Sequence, residues 1–151
     1  MSRLGRTPAR EGAAARRLYA WEDAEVGPRD RSRVPFAQLQ ALVDHVWAGE
    51  GLRFPPRIRP LPRQARRTVA RASRTAIEAP AELPTWVLLH EVAHALTSTA
   101  EEESDGHGPA FTGMYLRLLE RYARMDGAAL AESLRHAGIA FETDPRPAFL
   151  E

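Results

Sequence analysis

The segment LPTWVLLHEVAHALTS (83–98) constrains the fold more than any other part of the chain. Its apolar residues, Val87, Leu88, Leu89, Val92, Ala93, Ala95 and Leu96, fall at nearly every angle around a helix axis. The helix that this spacing predicts must therefore be buried on almost all sides. Thr85 is its expected N-cap. Inside it stand His90, Glu91 and His94. Buried polar groups are costly unless they find partners. Any fold of this chain must wrap the helix and also satisfy those three side chains.

A metal ion with its water would do so. Residues i and i+4 of a helix project from one face, with Cβ atoms about 5–6 Å apart. Two imidazoles can then converge on one ion at Zn–N distances of about 2.0–2.1 Å. Glu91 directly follows the first histidine; it stands beside the ion and can take a proton from its water. H-E-x-x-H also arises by chance, and the competing reading is a helix with two hydrogen-bonded histidines and a surface glutamate. A catalytic zinc keeps three protein ligands and one open position. His107 is the best candidate for the third ligand: Gly108-Pro109 follows it, and the loop back from His94 is long enough for a return. Glu101, Glu102, Glu103 and Asp105 are rival oxygen ligands, with a solvated acidic loop as the plainer reading.

Along the rest of the chain, residues 1–12 read as a loose arm and AAARRLYAWEDAE (13–25) as a short helix. GPRDRSRVP (27–35) reads as a loop. FAQLQALVDHVWAG (36–49) carries apolar residues at spacings of three and four, which predicts an amphipathic helix ended by Gly49. Segments 57–59, 68–71 and 75–78 alternate like short strands, the first limited to an edge by its prolines. They predict a small, mostly antiparallel sheet of about three strands. Pro109 suits the first turn of a helix over 109–125, whose stripe is Phe111, Met114, Tyr115, Leu118 and Tyr122. A third helix over 127–138 closes at Gly138. The tail 141–151 reads as extended. Length fits one domain over 1–151, and the expected class is α+β.

Several function classes are excluded or narrowed. With no cysteine, disulfides and cysteine zinc sites are ruled out. No apolar run approaches the roughly 18 residues of a membrane span. MSRLGRTPAREGAAARR has no apolar leader, so the cytoplasm is the expected compartment. All 21 basic residues are arginine. Arg53, Arg57, Arg59, Arg63, Arg66, Arg67, Arg71 and Arg74 form a run with no acidic residue among them. Such a run can hold phosphates, and the alternative function is a module that binds nucleic acid or protein through residues 53–74, with a structural metal. The plainer reading is a solvated sheet face. His45 and His136 read as surface or capping residues. Tyr115 and Tyr122 read as core, with an oxyanion donor as the sharper alternative.

H-E-x-x-H followed by H-G-P-x-F after a short loop resembles the SprT-like metallopeptidases, a group that includes the DNA-dependent protease Spartan. A closer resemblance is to a small actinobacterial family of H-E-x-x-H metallohydrolases. It extends from RRLYAWE through FAQLQALVDHVW, the arginine-rich strands, PTWVLLHEVAHAL and DGHGPAF, most of residues 13–139. The resemblance implies a minimal zincin-like fold, with His90, His94 and His107 as zinc ligands, Glu91 as general base and a peptide or protein as substrate. In zincins an edge strand near the active-site helix lines the cleft; here it would come from 68–79. The chain lacks the cysteine zinc module that many SprT proteins append, which counts against DNA-dependent proteolysis.

Overall fold

The computed structural model of the chain describes residues 8–62 and 70–151, the first four of them by backbone only. The architecture is α+β. Helix α1 (Pro8–Trp21) runs into one π-helical turn (Glu22–Val26) and a 3-10 turn (Gly27–Arg29). Strand β1 (Val34–Pro35) and helix α2 (Phe36–Gly49) follow, then β2 (Arg57–Pro60), β3 (Arg71–Ala72), β4 (Ala76–Ala79) and β5 (Glu82–Leu83). Three helices complete the chain: α3 (Thr85–Leu96), α4 (Pro109–Tyr122) and α5 (Gly127–His136).

Helix α3 is the centre. Leu88, Leu89, Val92, Ala93, Ala95 and Leu96 are all inaccessible to solvent, as its unbroken apolar surface requires. It packs chiefly on α4, with α2 and strands β3 and β4 against other faces. The buried side chains form one cluster, to which α2 adds Leu39, Val43, Val46 and Trp47, and α4 adds Phe111, Met114, Tyr115, Leu118 and Leu119. Two sheets flank it: a two-stranded ribbon of β1 and β5, and a three-stranded sheet ordered β2-β4-β3. The period-2 geometry of the latter turns Ile58, Ile77 and Ala72 inward and sets Arg59, Glu78 and Arg71 abreast on the outer face.

Three expectations are corrected. Helix α1 starts at Pro8, not residue 13, because proline suits a first helical turn and costs no hydrogen bond there; only residues 1–7 of the expected arm lie outside the described residues. The sheet is mixed: β2 pairs with β4 in parallel over all four residues, and only β3–β4 is antiparallel. Alternation encodes which face a side chain takes, not the direction of the neighbouring strand. Of the strand expected at 68–71, Thr68 and Val69 lie outside the described residues, and Arg71 opens β3. Thr85 is already helical, and Pro84 occupies the cap position. The free amides at the start of α3 are met from far away: Ser32 Oγ accepts from Thr85 N at 2.8 Å, and Asp30 Oδ2 from Trp86 N at 2.9 Å. The β1–β5 ribbon was not foreseen, since two-residue strands carry no readable period.

The tail is extended but tied down. Glu142 N donates to Pro109 O and Ala148 N to Leu96 O. Phe149 stacks on Trp47. The Glu151 carboxylate accepts from Trp47 Nε1 and from the Phe54 amide.

Candidate metal centre

His90 and His94 lie one turn apart on α3, and His107 immediately precedes Gly108, the cap of α4. The two helices pack together. One ring nitrogen from each histidine lies within 4.8 Å of the other two. His94 Nε2 and His107 Nε2 are 3.2 Å apart. Four-coordinate zinc with bonds near 2.0–2.1 Å needs ligand nitrogens about 3.3 Å apart; the His94–His107 pair has that spacing, and the set of three could hold a metal ion. His90, Glu91 and His107 are buried and His94 half-buried. The three histidines singled out by the sequence are thus brought to one place, and Glu91 is buried next to His90 in the chain.

The loop that delivers His107 is built around Asp105. Its carboxylate accepts from Ala110 N at 2.7 Å and from Phe111 N at 3.2 Å, capping α4 from outside the helix. A Cβ on Gly108 would stand 2.7 Å from Asp105 Oδ2, so only glycine lets the loop close this tightly. Asp105 is therefore engaged by the helix end, and it is no ligand of the cluster. Glu102 accepts from the Arg74 amide, while Glu101 and Glu103 are exposed. The rival oxygen ligands are not among the groups gathered at the site.

Phe111 forms the floor. Its ring centroid is 5.0 Å from that of His90, 4.3 Å from His94 and 5.1 Å from His107. On another side stands Tyr19 of α1, with centroids 6.2 Å from His90 and 5.5 Å from His107. Tyr19 is 45% exposed, which marks the rim where the site meets solvent.

Behind His90 lies a group that sequence reasoning missed. The Glu22 carboxylate, only 3% exposed, reaches His90 Nδ1 at 2.7 Å through the same oxygen that accepts from Tyr115 OH at 2.7 Å. The signal was present: Glu22 follows Leu18 by four residues and adjoins Trp21, so it shares the inward face of α1. An acid on an apolar face is the anomaly that could have found it. Tyr115 is fully buried with its hydroxyl engaged by Glu22, so it is no oxyanion donor. Tyr122 bonds Glu50 instead; burial, and then that hydrogen bond, push its phenol up to about 12. His45 is exposed against Tyr122, and His136 ends α5; neither joins the cluster.

The electrostatics are those of a buried site. Burial alone would lower His90, but its hydrogen bond to Glu22 and the charges of Glu22 and Glu91 outweigh that and hold it above the ordinary histidine value. Burial raises the Glu91 carboxyl, His90 partly offsets this, and Glu22 adds to it. Burial, then the neighbouring His90 and His107, hold His94 well below its ordinary value, which leaves it neutral and able to ligate.

No family model, curated protein or solved structure matches the chain significantly. Among the described residues, no helix is long and apolar enough to cross a membrane.

Proposed function

We propose that the chain is a zinc-dependent metallohydrolase, specifically a metallopeptidase, working in the cytoplasm on a peptide or protein substrate. His90, His94 and His107 are the ligands and Glu91 is the general base. The observation that carries this reading is the convergence of three imidazole nitrogens within 4.8 Å beside a buried glutamate. The resemblance to SprT-like and related H-E-x-x-H metallohydrolases supports it. Zinc, when bound, supplies Lewis acidity that brings a water's pKa toward ~7 and polarises a carbonyl. Glu91 takes the proton of the attacking water and returns it to the leaving amine. Its raised proton affinity moves it closer to the range suited to that exchange. Asp105 and Phe111 hold the ligand set, and Tyr19 edges the opening to solvent.

The test is metal analysis followed by assay. Wild-type protein should carry one zinc per chain, and His107→Ala should lose it. Glu91→Gln should keep the zinc and lose hydrolysis by about 10²–10⁴-fold. Full activity in Glu91→Gln, or no stoichiometric metal after zinc is supplied, would sink the reading.

One observation favours a polyanion-binding module as a second reading. Arg57 and Arg59 are exposed on the outer sheet face, and Phe54 is 61% exposed beside Arg53. Against it, Arg71 pairs with Glu78, and Arg74 sits over Trp47 and Phe149 while pairing with Glu151. Arg63, Arg66 and Arg67 lie outside the described residues. Affinity for an oligonucleotide that falls steeply with salt would favour this reading.

A further inference from the structure

We propose that Glu22 is a positioning residue for the metal centre: it fixes the tautomer and orientation of His90, and Tyr115 fixes Glu22. The proposal rests on the reading of His90, His94 and His107 as a metal site, and it extends that site to two further residues, one of them in the π-helical turn after α1.

A carboxylate can only accept hydrogen bonds. The 2.7 Å contact between Glu22 Oε2 and His90 Nδ1 therefore places the proton on Nδ1. In the neutral ring Nε2 then carries the lone pair, and with Nδ1 engaged by Glu22 it is the nitrogen available to the three-histidine group. The other tautomer would turn an N–H into the cluster and a lone pair toward Glu22, opposing like partial charges at 2.7 Å. Tyr115 closes the arrangement from the far side. Its hydroxyl has one proton, and the Glu22 oxygen at 2.7 Å is a far better acceptor than Trp86 O at 3.5 Å. The ligand is thus held from behind by two side chains, one from the π-helical turn that follows α1 and one from α4.

The backbone at Glu22 departs from α-helical geometry. Gly27 N donates to Glu22 O, an i to i+5 bond that opens the π-helical turn there. Such wide turns are rare overall and are frequent at functional sites. The charge balance also fits. Two buried acidic side chains, Glu22 and Glu91, would be available to offset the charge of a divalent ion at His90, His94 and His107.

The experiment uses the full chain as wild type, Glu22→Gln and Tyr115→Phe. Zinc affinity is read by competition with a chromophoric chelator. Histidine tautomers are read in the zinc-loaded protein by long-range ¹H–¹⁵N NMR. Glu22→Gln should weaken zinc binding by about 10–100-fold, and Tyr115→Phe by less, with far-UV circular dichroism of the metal-free proteins unchanged. The wild type should show His90 protonated at Nδ1, and that signal should move in Glu22→Gln. Zinc affinity in Glu22→Gln within twofold of the wild type, or a wild-type His90 protonated at Nε2, would overturn the proposal. The wild-type tautomer decides the matter even if Glu22→Gln does not fold. A wild type that binds no zinc defeats the metal reading itself, which is a different result from a wild type that binds zinc and is indifferent to Glu22.

Discussion

Phe111 shows how a single residue serves fold and site together. It is fully buried and touches all three histidine rings. Its stacking on His94 leaves that imidazole few orientations. Phe111→Ala should cost about 3–5 kcal/mol of stability, as large-to-small core changes do, out of a typical total of roughly 5–15 kcal/mol. Denaturant unfolding of the metal-free protein measures that loss. Phe111→Leu keeps most of the volume but no flat face, and it should recover most of the stability while leaving zinc binding weaker than in the wild type. Equal zinc affinity in Phe111→Leu and wild type would show that the ring only fills space.

At the scale of elements, helix ends and close approaches decide where the site residues stand. Helix α3 starts where it does because Asp30 and Ser32, more than 50 residues earlier, meet its free amides. Helix α4 is set by Asp105 at its start and by Gly113 within it. Glycine in a helix interior costs about 1 kcal/mol relative to alanine. At 113 it is required, because an added Cβ would meet Glu142 O at 2.3 Å, and that atom is backbone. Gly113→Ala should therefore destabilise despite its better helix propensity, by about 1–3 kcal/mol. At roughly 2–4 °C per kcal/mol for a chain of this size, thermal unfolding should shift down by several degrees. An unchanged or raised Tm would show that the 142 segment gives way freely.

The whole molecule is clasped by its tail. The Glu151 carboxylate joins Trp47, the Phe54 amide and the Arg74 guanidinium. Burial alone would raise this carboxyl, but those hydrogen bonds, one from the Arg53 amide, and Arg74 pull it below the ordinary value. A folded-state value below the unfolded one means stability that is present above the unfolded value, near ~4.3, and lost as pH falls through the folded one. The urea midpoint of the wild type should decline over that acid window. In Glu151→Gln it should be lower at neutral pH and flatter across the same window. Parallel curves for the two proteins would remove Glu151 from the acid response.

Much of this was legible in the chain itself. The periodicity of 36–49 and 109–122 and the unbroken apolar surface of 85–96 are local properties, written into side-chain spacing, so those helices could be read off directly. His90, Glu91 and His94 were legible for the same reason, since one helix fixes their relative placement. His107 was legible only as a candidate, because a loop's path is set by what it packs against; here that is Asp105 reaching round to α4. Tertiary structure alone decided the parallel pairing of β2 with β4, the caps on α3, and the meeting of Glu22, His90 and Tyr115. Each of these joins groups separated by tens of residues, through contacts whose free energy exists only once the chain has closed on itself.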